Sequence, residues 1–294
     1  MQQSENDILR RVRKIEIKTR GLSNEIFAGK YHTAFRGRGM SFSEVREYRI
    51  GDDVRDIDWN VTARSSKPHI KIYEEERELT MMLVVDVSGS RGFGTTERMK
   101  QNVITEIAAV LAFSAAQNND KVGCIFFSDR VEKFIPPKKG KSHILMIIRE
   151  LISFQPESSR TSISEAVRFL TGVSKKRCTT FILSDFMNSR RDKAALEDAL
   201  KIAGSKHDIV GIRVWDKREA ELPDVGIIEL EDAETGRKEW VDTSSARVRE
   251  HYAQSWAQRN EEVEELLKRN RIDSAMISTE GDYVAELIKL FKQR

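Results

Sequence analysis

The chain reads as an α/β protein: a doubly wound, mainly parallel sheet with a small N-terminal α+β module. Three observations predict this. From residue 79 onward, strand-like and helix-like segments alternate, the pattern of right-handed β–α–β crossovers. Short apolar runs such as Leu83-Val84-Val85-Asp86 and Thr180–Asp185 lack polar alternation, as expected of strands buried on both faces. Between them, Met99, Val103, Ile107, Val110, Leu111 and Phe113 cover too many faces for a surface helix, so a helix over 97–117 is expected to lie against the sheet. The expected division is a module over 1–75 followed by the α/β domain over 76–294.

The first module opens with a helix over 5–20. Ile8, Leu9, Val12 and Ile15 form its apolar stripe, Arg10, Arg11, Arg13 and Lys14 face out, and Gly21 stops it. Phe35-Arg36-Gly37-Arg38-Gly39 reads as a solvated loop, with an arginine-and-backbone anion site as the alternative. Residues 40–50 alternate as a strand, placing Met40, Phe42, Glu44, Arg46, Tyr48 and Ile50 on one face, where the two charges need partners. Gly51-Asp52-Asp53 is turn chemistry. Asp58 is placed to N-cap a short helix through Trp59 and Ala63. Asp52, Asp53, Arg55 and Asp58 read as a salt-bridged structural turn with Trp59 in a small core; a docking surface is the alternative. A strand over 69–73 follows Pro68, and Glu74–Glu78 separates the module from the next.

In the larger domain, strands are expected over 79–86, 121–127, 131–135, 180–185, 208–214 and 273–278. The strand over 131–135 should end at Pro136-Pro137. Helices are expected over 142–153, to about 173, to about 204, over 245–269 and over 282–292. Ser162-x-x-Glu165 reads as a capping box for one of them, and Ser189-x-x-Asp192 opens another. Residues 226–241 read as a hairpin around Glu234-Thr235-Gly236.

The bulk numbers narrow the function. The chain has 294 residues and a formal net charge of +3 with 33% charged residues. Such balance lacks the concentrated basic field that nucleic-acid binding needs. Cys124 and Cys178 lie in apolar strand-like runs, far from any Cys-x-x-Cys pattern, and read as buried free thiols. The polar, acidic start Met1-Gln-Gln-Ser-Glu-Asn-Asp lacks the apolar core of a signal peptide, and no run approaches the ~18 apolar residues of a membrane span. A cytoplasmic protein is expected. The five histidines are scattered and lack zinc spacing.

The chemistry concentrates after the strand over 79–86. Asp86-Val87-Ser88-Gly89-Ser90 places a carboxylate and two hydroxyls at alternate positions at a strand end. In a doubly wound sheet, ligands bind outside the carboxyl ends of the strands. Asp185 ends another strand, and Thr161 lies in a loop just before a helix. Asp86, Ser88, Ser90, Thr161 and Asp185 can therefore converge on one sheet edge. Magnesium takes about six oxygens and gives up its water reluctantly. Hydroxyls in direct positions, with carboxylates acting partly through water, would leave the ion electrophilic and ready for a partner's carboxylate. The loop through Gly92 and Gly94 lacks the Gly-Lys-Ser/Thr ending of a phosphate loop, and Ser88 and Ser90 lack the flanks of a nucleophile elbow.

This set resembles the metal-ion-dependent adhesion site of von Willebrand factor A domains, which share a Rossmann-type doubly wound sheet. Upstream, Phe42-x-Glu44-x-Arg46-x-Tyr48-x-x-Gly51-Asp52-Asp53-x-Arg55-x-Ile57-Asp58-Trp59-x-x-x-Ala63-Arg64 resembles the signature of the bacterial family called domain of unknown function 58. The second resemblance implies an A-type domain and a MoxR-type AAA+ ATPase as partner. Together they imply a protein-binding module rather than an enzyme. It would hold Mg²⁺, or Mn²⁺ or Ca²⁺, on Asp86, Ser88, Ser90, Thr161 and Asp185, and engage an acidic residue of a protein partner, with no nucleic acid and no direct membrane span. Arg91 departs from the apolar residue common after the second serine. A metal-dependent phosphohydrolase and a metal-free scaffold of the same fold are the alternatives; the first is disfavoured because Ser88 stands where an Asp-x-Asp site needs a second carboxylate.

Overall fold

A computed structural model of the chain describes residues 10, 12–16, 18, 41–65, 67–74, 79–89, 99–187, 192–232 and 235–294. The Arg36–Arg38 segment, Ser90 with the stretch through Gly94, Ser189 and Glu234 lie outside the described residues. Two compact units emerge, one within 35–79 and the other formed by N-terminal residues together with 80–294. The N-terminal helix thus groups with the larger unit rather than with the module expected over 1–75. The contacts explain why: Val12 is buried, Glu16 pairs with Lys141 at 2.5 Å, and Lys18 pairs with Glu106 at 2.5 Å while lying over the Tyr283 ring.

In the small unit, β1 (Ser41–Glu47) runs antiparallel to β2 (His69–Glu74), with a register shift between Phe42 and Glu44. The connection carries a 3₁₀ turn (Val54–Asp56) and α1 (Trp59–Ser65). Arg46 finds the partner its position demanded, as its guanidinium forks onto both oxygens of Asp52 at 2.8 Å each. Asp58 caps α1 by accepting the Asn60 and Val61 amides. Trp59 does not enter a core and is 70% exposed. As first residue of a helix only seven residues long it projects outward, and among the described residues of this unit Ile70, bridged to Ile57, is the buried side chain instead.

The large unit is built on a six-stranded sheet of order β10-β7-β6-β3-β4-β5. In chain order these are β3 (Thr80–Asp86), β4 (Lys121–Phe127), β5 (Val131–Lys138), β6 (Thr179–Ser184), β7 (Asp208–Trp215) and β10 (Asp273–Ser278). Every pairing is parallel except β4 with β5. The helices are α2 (Lys100–Gln117), α3 (Lys141–Ser153), α4 (Ile163–Val173), α5 (Lys193–Lys206), α6 (Lys217–Ala220), α7 (Ala246–Arg269) and α8 (Tyr283–Gln293), and β8 (Ile227–Glu231) pairs with β9 (Lys238–Asp242) as the hairpin.

The pleat sends alternate strand residues to opposite faces. Met82, Val84, Ile125, Phe127 and Ile182 join the core under α4, α5 and α7. On the other face Phe126 stacks on Phe154 and Phe181 meets Phe291 of α8 edge-on. Both cysteines are buried and free. No helix among the described residues is long and apolar enough to cross a membrane.

Three local expectations are corrected. β5 does not stop at Pro136 but runs through both prolines to Lys138. It is an edge strand with an irregular register opposite Gly123, so the missing amides leave no ladder partner waiting. The Ser162/Glu165 capping box is not formed. Ser162 and Ser164 donate to Asp192, and Glu165 pairs with Arg168. The Asp192 carboxylate therefore faces the start of α4, where the Ser164 amide also reaches it. Finally, α6 was not anticipated. Its capping box is complete, with Asp216 accepting the Arg218 amide and Glu219 accepting the Asp216 amide.

Gly123 marks a close approach of β4 to β5. A Cβ there would lie 3.0 Å from the Ile135 carbonyl oxygen and 3.0 Å from the Pro137 nitrogen. Gly123→Ala is expected to destabilise the large unit by about 1–3 kcal/mol, because backbone atoms cannot step aside as a side-chain end can. Urea unfolding checks this; an unchanged midpoint would show that β5 yields freely.

Candidate functional site at the carboxyl edge of the sheet

The connection from β3 through α2 leads to β4 on one side, and the later strands β6, β7 and β10 lie on the other. The strand order therefore reverses between β3 and β6, where open α/β sheets leave a crevice for ligands. Asp86 ends β3, and Asp185 follows β6 immediately. Asp86 is buried. Its Oδ1 accepts the Ser88 amide at 2.9 Å and its Oδ2 accepts the Ser184 hydroxyl at 2.7 Å. Burial first, and then the nearby Asp185 charge, push its carboxyl up to about 6 against those hydrogen bonds.

The third loop reaches the same edge. The Gly89 amide donates to the Ser159 carbonyl at 3.0 Å, joining the turn after β3 to the loop that carries Thr161. Val87 and Ser162 are tied in turn to Phe127 and Ser128 at the end of β4. Ser88 and Thr161 are both buried. Of the five residues singled out from the sequence, Asp86, Ser88, Thr161 and Asp185 thus stand in three loops at one sheet edge, and Ser90 lies outside the described residues. Among the described residues no three His, Cys, Asp or Glu side chains gather as a metal cluster. A cation here would have to draw on hydroxyl oxygens beside the two aspartates, and hard oxygen donors suit magnesium, manganese or calcium.

A buried lysine completes the edge. Lys100, the first residue of α2, is 1% exposed, and its ammonium lies 2.9 Å from Asp185 Oδ2 and 2.5 Å from Glu219 Oε1. A cation at a helix N-terminus opposes the helix dipole, so the two carboxylates must hold it there. Burial pulls the Lys100 ammonium down, but Asp185 and Glu219 outweigh it and leave it above its ordinary value. Burial raises Glu219 despite Lys100. Asp185 Oδ1 accepts the Met187 amide. The chain of contacts continues through the Asp216 cap to the Thr279 hydroxyl after β10. Arg213, beside Ser184 on β7, is lowered to about 10 by burial while Asp185 and Glu264 favour its charge.

Sequence reasoning missed Lys100, Ser184 and Glu219. Lys100 was legible in principle. It precedes Val103, Ile104 and Ile107 by three, four and seven residues, so it shares the buried stripe of α2. Asp216-x-x-Glu219 also matched a capping box. Ser184 gave no such signal, because a strand-end serine next to an aspartate is common.

Residues 44–262 match the family described as "Protein of unknown function DUF58". The chain belongs to this family. This DUF58 chain is also 27% identical over 287 residues to an uncharacterized protein of Mycobacterium bovis and equally to one of Mycobacterium tuberculosis, each match covering 96% of this chain and 88% of the relative. Among solved structures it is similar to the conserved hypothetical protein BatB from Bacteroides thetaiotaomicron, with a TM-score of 0.48 and 16% identity, over 73% of this chain and 98% of that one. A von Willebrand factor type A protein from Catenulispora acidiphila is similar with a TM-score of 0.37 and 12% identity, over 65% of this chain and 44% of that one. The doubly wound architecture itself rests on the strand order given above.

The raised Asp86 carboxyl gives this DUF58 chain a signed pH dependence. An unfolded aspartate titrates near 3.9. The folded state keeps its proton to about 6, so the contribution of this one carboxyl to stability is present at low pH and is lost as pH rises through that window. In chelator, the wild type should lose on the order of 2 kcal/mol more than Asp86→Asn between pH 4 and pH 7. Denaturant unfolding at the two pH values checks it, and parallel losses in both proteins would refute the assignment.

Proposed function

We propose that this protein is a binding module, not an enzyme, which engages an acidic residue of a protein partner through a divalent cation at the carboxyl edge of its sheet. The observation that carries the reading is the pair of carboxylates, Asp86 and Asp185, desolvated side by side at the switch point with neutral donors on Asp86. Like charges in low dielectric are costly unless a cation joins them. Lys100 meets only the Asp185 side of the pair. Ser88, Ser90 and Thr161 would supply hydroxyl oxygens to Mg²⁺, with Asp86 and Asp185 orienting its water. When bound, the ion would supply an electrophilic position for a carboxylate.

Asp185 is a poor candidate for acid or base catalysis, since one oxygen holds the Met187 amide and the other Lys100. The resemblance to von Willebrand factor A sites and to the family associated with MoxR-type AAA+ ATPases supports an adaptor role beside such an ATPase, in the cytoplasm. The test is capture of the cognate MoxR-type ATPase by wild type and by Asp86→Ala, in Mg²⁺ and in EDTA. Wild type should capture it only with Mg²⁺, and Asp86→Ala should lose capture. Chelator-sensitive capture by Asp86→Ala would overturn the site, and capture by wild type in EDTA would overturn the metal. Phosphatase turnover abolished in Asp86→Ala would overturn the non-enzymatic reading.

A further inference from the structure

Lys100 is an internal cation set against one of the two aspartates of the proposed cation site. Its ammonium is shared between Asp185 Oδ2 and Glu219 Oε1. Glu219 cannot swing away freely, because its other oxygen holds the Asp216 amide and Asp216 is fixed in turn by Thr279. Glu219 therefore determines how much of the ammonium's charge is spent on Asp185. The hydrogen bonds of Asp86 involve none of these groups and come from Ser88 and Ser184.

We infer that Lys100 sets how tightly the Asp86–Asp185 edge holds a divalent cation, and that Glu219, which reaches Asp185 through Lys100, tunes that affinity in the opposite sense. The inference rests on the cation reading above and adds a residue pair that governs it. A fixed positive charge beside one aspartate repels a second cation and satisfies part of the negative charge that would attract it. The edge would then hold its metal weakly alone and more firmly once a partner carboxylate joins. Taking Lys100 away leaves both aspartates to the metal. Neutralising Glu219 leaves the ammonium wholly on Asp185. This arrangement suits a reversible binding module, whose cation must stay electrophilic, better than a permanent structural site.

The test is Mn²⁺ binding by the full chain, read by isothermal titration and by the spin-resonance signal of free Mn²⁺. Glu219→Gln should weaken Mn²⁺ at least about threefold, because its amide can still reach Lys100 but no longer shares its charge. Lys100→Met should tighten Mn²⁺ at least about tenfold. That single change leaves two buried carboxylates uncompensated and can fail to fold. Lys100→Met/Glu219→Gln removes a cation and an anion together; it should fold and should also bind Mn²⁺ more tightly than wild type. The effect of Glu219→Gln should vanish in the Lys100→Met background, as a residue acting through another requires. Wild-type affinity in Glu219→Gln and in the double variant would overturn this inference while leaving the cation site standing. Failure of wild type to bind Mn²⁺ at millimolar concentration would overturn both. Asp86→Asn serves as the control that abolishes binding.

Discussion

The ammonium of Lys100 sits inside the protein at the start of the helix that leads from β3 to β4, and it reaches across to the end of β6. That reach spans the place where the strand order reverses. An ion pair buried to this degree contributes little net stability against an apolar replacement, but breaking it by removing one partner costs about 3–5 kcal/mol. Its effect is therefore one of arrangement more than of strength. It ties the first turn of α2 to Asp185 and, through Glu219, to α6 and β7.

Desolvation gives this edge its chemistry. The strands beneath it are packed on both faces, with Met81 through Val85 and Val122 through Phe127 buried throughout. Water cannot approach the carboxylates from below. Each must find hydrogen bonds within the protein, and Asp86 finds them from a backbone amide and a serine hydroxyl. Neutral donors orient a carboxylate without cancelling its charge. A charge that is oriented, dry and uncancelled is what a hard cation seeks, and the same environment explains why Asp86 keeps its proton to unusually high pH when no cation is present.

Much of the scaffold was legible along the chain. The strand expected over 121–127 coincides with β4, because two-sided burial leaves a nearly continuous apolar run, and the strand expected over 273–278 coincides with β10, an edge strand whose Ala275 and Ile277 alternate inward. The apolar coverage of α2 marked it as an inner helix. Legibility failed where a side chain's partner lies far away in sequence. Ser162 has the form of a cap, yet its hydroxyl goes to Asp192, thirty residues on. Trp59 has the form of a core residue, yet its helix is too short to enclose it. Pro136 has the form of a strand end, yet an edge position makes its missing amide harmless.

Local periodicity and turn chemistry determined from the residues alone that strands would alternate with helices, that Asp86 and Asp185 would stand at strand ends, and that Asp86, Ser88 and Thr161 were oxygen donors worth grouping. These are properties of neighbouring residues, and short-range geometry settles them. Only the folded chain decided that the Lys100 ammonium would be divided between Asp185 and Glu219, and that Ser184 would reach Asp86 from the adjacent strand. Those contacts join residues 85, 98 and 119 positions apart. Electrostatic energy depends on distance and dielectric in three dimensions, and neither is written in the spacing of a linear sequence.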